Sequence, residues 1–202
     1  ILLSFQLKDK FHISEVPFYM ILGVLASLCS IYFTAVYFKI NNFFKSFGSP
    51  FKRLLVGGLG LGIMIYFIPP LYGEGYNVIN NLLTENYIEA LGTNFFNEFL
   101  DNIWVVITLL AGLVIFKIVA TSFTFGAGGV GGIFAPVLFM GSAMGHCFAL
   151  IVNNLGFLNK PISVSSFTMV GMAGLMAGVL HAPLTAIFLI AELTGGYELF
   201  VP

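Results

Sequence analysis

The stretch GAGGVGGIFAP, residues 126–136, has residue types and spacing suited to binding a small ion, with five glycines in its first seven positions. Pro136 suits the first turn of a helix, where its missing N–H is no loss. A helix beginning near Phe134 leaves free backbone N–H groups around Gly132, Ile133 and Phe134. Those groups and the positive end of the helix dipole favour an anion. The stretch therefore predicts an anion site built from main chain.

The charge pattern around this stretch favours a transported ion. Residues 118–159 contain no Lys, Arg, Asp or Glu. An anion held here would be held by amide dipoles and hydroxyl groups, without a salt bridge. A full positive charge in a low-dielectric medium would attract the anion strongly and slow its release. Glycines in membrane helices also serve close helix packing, and packing stays open as the alternative reading of the glycine run.

The composition indicates a polytopic membrane protein. Of the 202 residues, 58% are hydrophobic and only 8% are charged, whereas soluble domains carry about 25% charged residues. The mean hydropathy is +0.99. A net charge of −1 gives no sign of a nucleic-acid partner. Cys29 and Cys147 lie in apolar segments, which predicts buried thiols without a disulfide.

The apolar pattern predicts an all-α protein with broken and re-entrant helices. The apolar segments are 16–38, 54–72, 103–123, 134–152 and 165–193. The first and third match the roughly 20 residues that a membrane helix needs. Pro69 and Pro70 are expected to end the second, and the break from His181 to Pro183 is expected to divide the fifth into two shorter helices. Residues 74–83 are a candidate re-entrant half-helix.

Charged residues outside these segments predict an orientation. Lys39, Lys45, Lys52 and Arg53 crowd the region between the first two segments, whereas residues 73–102 hold acidic side chains and no Lys or Arg. The positive-inside rule places the basic region in the cytoplasm and the acidic one outside.

Several stretches resemble the CLC family of chloride channels and chloride/proton exchangers. GGIFAP at 131–136 resembles the family's G-x-F-x-P signature, and the flanking helices over 117–145 are similar to those around that signature. Residues 171–202, with APLT and an acidic residue before Y-x-L, resemble a later stretch, and GEGY at 73–76 also fits. The ordered set is far more specific than G-x-F-x-P alone.

The resemblance implies a fold and a function. Family subunits have two inverted halves around a central chloride site and form homodimers, and this chain resembles most of the second half. Residues 1–202 would then be a partial transmembrane domain without the first half and the last helix. Ile133 and Phe134 would supply the N–H groups that bind chloride, and Gly131 and Gly132 would let the loop approach the ion.

The resemblance also implies partners and a location. Chloride is the transported ligand, with protons as a second one in exchangers, and no cofactor is implied. The protein is expected to contact membrane lipid in the cell (inner) membrane. Channel and proton-coupled exchanger stay open, as do chloride, nitrate and fluoride, since the family's gating glutamate, central serine and pore tyrosine have no match here.

The remaining candidates point to structural roles. Lys117 is a functional candidate because it lies in an apolar segment, but snorkelling or pairing with a carboxylate is the favoured role. Glu192 is read as structural. His146 and His181 are too far apart in sequence to suggest a metal pair, and no metal site is predicted. These titratable residues are scattered, which argues against a membrane enzyme. A rival function is an unrelated broken-helix secondary transporter of another anion.

Overall fold

The structure, a computed structural model, describes residues 13–91, 100–156 and 160–194. In these ranges every regular element is helical. The helices are α1 Val16–Lys45, α2 Pro50–Phe67, α3 Tyr76–Leu83, α4 Tyr87–Leu91, α5 Ile103–Gly126, α6 Phe134–Leu155, α7 Val164–Leu180 and α8 Pro183–Thr194, with 3₁₀ turns at Ile13–Glu15 and Pro69–Leu71. Within the described part, α1, α2, α5 and α6 are long and apolar enough to cross a membrane. The predicted all-α membrane fold is confirmed.

Proline and histidine set two helix boundaries as predicted. α2 ends at Phe67, just before Pro69 and Pro70. α7 ends with His181 in the left-handed conformation (φ 55°), and α8 begins at Pro183. Histidine is among the few non-glycine residues enriched in this conformation. The predicted division of the fifth segment is therefore confirmed, although residues 195–202 of the later family-like stretch lie outside the described residues.

The region between the first two segments differs from the prediction. α1 continues to Lys45, so Lys39 and Lys45 are helical, and Lys52 and Arg53 belong to the first turn of α2. Only a turn at residues 46–49 separates the two helices. α1 has 30 residues and spans about 45 Å at the usual helical rise. Because this exceeds a hydrocarbon core of about 30 Å, α1 must tilt or project beyond it.

α6 is the central helix of the described structure. In its most apolar window 78% of residues are buried, against 6% for α2. α6 packs against α5, α7 and α3, and α7 packs in turn against α1 and α8. A Cβ atom added to Gly141 would lie 2.6 Å from the Met172 Cα, and one added to Gly145 would collide with the Phe167 carbonyl oxygen. Glycines thus bring the α6 and α7 backbones into direct contact, as in many membrane helix pairs.

The outer helices carry exposed apolar side chains. Examples on α1, α2 and α8 are Met20, Val24, Ile31, Leu59, Ile63 and Leu184. Such a surface is unfavourable in water and suits contact with lipid or further protein.

Candidate anion-binding site

The first part of the glycine run closes the C-terminus of α5. Gly126 is the last residue of that helix. The N–H of Gly128 donates to the Phe125 carbonyl at 3.0 Å, and that of Gly129 donates to the Thr124 carbonyl at 2.9 Å. Gly128 has a φ of +100°, which strongly favours glycine. These glycines therefore serve to end α5, as left-handed residues do at many helix ends.

The second part of the run leads into α6 with its amides free. α6 begins at Phe134, and Ile133 precedes it without a side-chain cap. The first bond of the helix is from the Val137 N–H to the Ile133 carbonyl, at 3.1 Å. Among the residues that the structure describes, the backbone N–H groups of Gly131, Gly132, Ile133 and Phe134 form no hydrogen bond. The predicted helix start is confirmed, whereas a bound anion stays a prediction.

A cavity of about 520 Å³ lies beside this loop. Its walls come from α2, the turn at 71–76, α5 and the start of α6. Gly131, Gly132 and Phe134 line it, and Ile133 is not among its lining residues. Three of the four predicted site residues therefore border a common space, with the fourth adjacent in the chain.

Lys117 closes one side of the cavity and has a role that the sequence did not predict. Its side chain is 2% exposed. Nζ donates to the carbonyl oxygens of Leu71 at 3.1 Å and Gly73 at 2.9 Å, and it lies 4.4 Å from the centre of the Phe139 ring. Within the described ranges Lys117 forms no ion pair. The expectation of snorkelling or carboxylate pairing is wrong, because carbonyl oxygens and a ring face satisfy the ammonium group instead.

The GEGY motif forms the turn that Lys117 holds. Gly73 and Gly75 have φ values of 64° and 82°. A Cβ atom on Gly75 would collide with the Phe139 ring of α6. Both the backbone conformation and this close approach therefore require glycine. The structure brings GEGY and GGIFAP to walls of one cavity, a proximity that their separation in sequence did not reveal.

The cavity offers polar groups of both signs. Lys117 is buried on one wall, and Glu74, on the turn, has an exposed carboxylate. The Tyr76 side chain also lines the cavity. The Thr121 and Thr124 hydroxyls donate to helix carbonyl oxygens one turn back, at 2.8 Å and 3.1 Å. Their oxygen atoms therefore offer no further proton to an anion.

The other titratable candidates lie away from the cavity lining. His146 is buried between helices, with Nδ1 3.3 Å from the Thr168 hydroxyl oxygen. His181 is exposed at the α7–α8 break, and Glu192 is exposed on α8. In the described part of the chain no three His, Cys, Asp or Glu side chains are grouped to hold a metal ion. The cysteines there, Cys29 and Cys147, are free thiols.

Comparison with known proteins identifies relatives along the whole chain. The sequence model of the voltage-gated chloride channel family matches residues 1–202. The chain is 33% identical over 210 residues to chloride channel protein CLC-f of Arabidopsis thaliana. This alignment covers 98% of this chain and 25% of that protein. It is 33% identical over 186 residues to the H⁺/Cl⁻ exchange transporter ClcA of Yersinia pestis. That alignment covers 91% of this chain and 36% of the transporter.

The chain spans about a quarter to a third of the length of these relatives. The match nevertheless includes the glycine loop, the GEGY turn and the helices between them. Because the sequence model of the family matches the whole chain, this all-helical membrane chain belongs to the voltage-gated chloride channel (CLC) family.

Proposed function

We propose that the chain forms part of a chloride pathway across the membrane. The ion would bind at the start of α6, held by the backbone N–H groups of Ile133 and Phe134. Gly131 and Gly132 present no side chain, which lets the ion approach the main chain. The relatives compared above are named as a chloride channel and an H⁺/Cl⁻ exchange transporter, and both names support chloride as the ion.

One observation carries this proposal. Unbonded amides at the start of a long helix lie beside a cavity of about 520 Å³. Broken helices whose N-termini point to an anionic substrate are a recurring arrangement in transporters. Amides provide partial charges, so the ion can be held without being trapped.

The proposal extends to the larger assembly. The chain would be one half of an inverted-repeat membrane domain, and the remainder of the protein would complete the ion path. Two such subunits would form a homodimer in the cell (inner) membrane. The chain spans only about a quarter to a third of these relatives' length, which supports a remainder that completes the ion path.

A matched pair of substitutions at Ile133 tests the site. Ile133→Pro removes one N–H donor, and the native φ of −84° is close to what proline adopts. Ile133→Ala removes most of the side chain and keeps the N–H. In the full-length protein, we expect Ile133→Pro to weaken chloride binding about tenfold, in keeping with the loss of one hydrogen bond to a charged group. Isothermal titration calorimetry with chloride measures this.

The alanine variant is the control for side-chain loss. We expect it to bind chloride within about twofold of the parent, since main-chain donors are unchanged. Equal weakening in both variants would assign the effect to the side chain and contradict the amide site. Circular dichroism and gel filtration would verify that both variants fold.

Ion flux tests transport itself. Full-length protein in liposomes is expected to release chloride when an electrical shunt is supplied. A repeat with an imposed proton gradient separates a channel from an exchanger, because only an exchanger would move chloride against its gradient. Folded protein without chloride flux would contradict the proposal.

A further inference from the structure

A basic corner joins the first two membrane helices. We define the basic corner as Lys39 and Lys45 of α1 together with Lys52 and Arg53 of α2. Residues 16–73 contain these four basic side chains and no Asp or Glu. The local charge is therefore strongly positive in a chain whose net charge is −1.

Arg53 gives the corner a defined shape. Its Nε donates to the Phe47 carbonyl oxygen at 2.9 Å, and its Nη2 lies 3.5 Å from the Lys45 carbonyl oxygen. The half-buried guanidinium thus ties the first turn of α2 to the end of α1. The three lysines are exposed and, within the described ranges, form no ion pair or hydrogen bond through their side chains. Their charges are available to an outside partner.

Aromatic side chains surround these charges. Phe43 and Phe51 are 51% and 70% exposed, one on each helix of the corner. Phe43 packs edge-on against Phe44 and Phe47. Exposed phenylalanines beside lysines suit the boundary between headgroups and acyl chains, where apolar rings enter the lipid and ammonium groups stay outside.

The geometry of the helix pair fixes the depth of the corner. α1 and α2 are both candidate membrane spans, and only residues 46–49 separate them. The end of α1 and the start of α2 must therefore lie at the same membrane face. Lipid phosphate groups lie at that depth, and a basic cluster next to a membrane helix attracts them.

We propose that the basic corner is a binding site for the phosphate headgroups of anionic phospholipids. Lys45 and Lys52 make the main electrostatic contacts, Arg53 holds the turn in shape, and Phe43 and Phe51 contact the acyl chains. This interaction is independent of the chloride site and goes beyond the proposed function.

Native mass spectrometry of the full-length protein tests the proposal. The detergent-solubilised protein is titrated with phosphatidylglycerol or with phosphatidylcholine of the same acyl chains. We expect tighter binding of phosphatidylglycerol. The double variant Lys45→Gln with Lys52→Gln should bind phosphatidylglycerol at least fivefold more weakly, the effect of roughly one basic residue at an anionic surface. Its affinity for phosphatidylcholine should be unchanged.

The control variant is Lys160→Gln, which removes an exposed lysine outside the corner. It should keep the preference for phosphatidylglycerol. Equal binding of the two lipids to the parent protein would overturn the proposal, as would an unchanged preference in the double variant. After either result, the lysines would serve only to orient the protein in the membrane. Loss of the preference in 10 mM inorganic phosphate would also overturn it, by revealing a site for free phosphate.

Discussion

At the scale of single residues, the glycines of the 126–132 run divide into two groups. Gly128 has a positive φ, and a Cβ atom on Gly129 would lie 2.8 Å from the Thr124 carbonyl oxygen. These two positions are required by the fold. Gly131 and Gly132 have open space around them, since an added Cβ would meet no atom closer than 3.6 Å and 4.0 Å, respectively. The fold does not explain glycine at these two positions, which is consistent with a requirement for ligand access.

Gly132→Ala tests this division. The atom nearest to the added methyl group would be the Phe134 nitrogen, at 4.0 Å. We therefore expect the fold to be preserved and chloride binding to weaken about tenfold, because the methyl group occupies space in front of that amide. Calorimetry with chloride measures the change. The control is Gly62→Ala, where the added methyl group also has open space, and it should bind chloride like the parent. Equal chloride affinities in the parent and both variants would argue against an ion at the Phe134 amide.

Lys117 provides a second test at this scale. Lys117→Met leaves the Leu71 and Gly73 carbonyl oxygens without their charged donor. We expect the free energy of unfolding to fall by about 2 kcal/mol, and Lys117→Arg to lose less because it keeps charge and donors. Thermal unfolding in detergent measures both. A methionine variant as stable as the parent would mean that desolvation of the ammonium group cancels its hydrogen bonds.

At the scale of elements, direct backbone contact between α6 and α7 is the tightest helix packing described. Gly141, Gly145 and Gly171 all lie where a Cβ atom would overlap backbone of the opposite helix. Close helix packing, which was the alternative role for the glycines at 126–132, is therefore the role of these other glycines. Close packing between α6 and α7 and the ending of α5 are thus two uses of glycine at different places in the described structure.

Gly145→Ala should disrupt this packing. The added methyl group would collide with the Phe167 carbonyl oxygen, so the helices must separate. We expect a loss of about 2 kcal/mol in unfolding free energy, typical of overpacking. The matched control is Gly112→Ala in α5, where the structure has no atom within 4 Å of the added group. Chemical denaturation should show a loss only for Gly145→Ala, and equal stabilities would contradict the close contact.

Element boundaries were predictable where a local residue sets them. Pro69 and Pro183 mark helix ends because proline restricts its neighbours whatever the tertiary context. The apolar pattern places the end of α1 too early, because it stops at Lys39, although lysine is a good helix former and α1 continues to Lys45. The partners of Lys117 could not be predicted, since Leu71 and Gly73 accept through main-chain oxygen atoms that every residue possesses. The free amides near Phe134 were predictable from helix geometry alone.

At the scale of the whole molecule, charge is separated between two regions. The basic corner contrasts with the α3–α4 region and the approach to α5, where Glu74, Glu85, Glu89 and Asp101 are exposed. Glu98, also part of the predicted acidic loop, lies outside the described residues. The positive-inside rule assigns the corner to the cytoplasm and the acidic region to the opposite side.

Cysteine labelling tests this orientation. Lys52→Cys and Asp101→Cys each introduce a thiol at an exposed position, and Cys29 and Cys147 give the background. In intact cells, a membrane-impermeant maleimide is expected to label Asp101→Cys and not Lys52→Cys. Inside-out vesicles should give the reverse. Labelling of both variants from one side would contradict the predicted topology.

The contrast between α6 and α2 has a mechanical consequence. α6 and α7 interlock through their main chains, so the pair should move as one rigid body. α2 is almost unburied, and its described contacts include Gly60 against the Phe123 side chain of α5 and Gly57 against Ala127, which directly follows α5. Because Leu61 and Ile65 of α2 form part of the cavity wall, a sliding shift of this one helix along α5 would change the shape of the space beside the glycine loop while α6 and α7 stay in place.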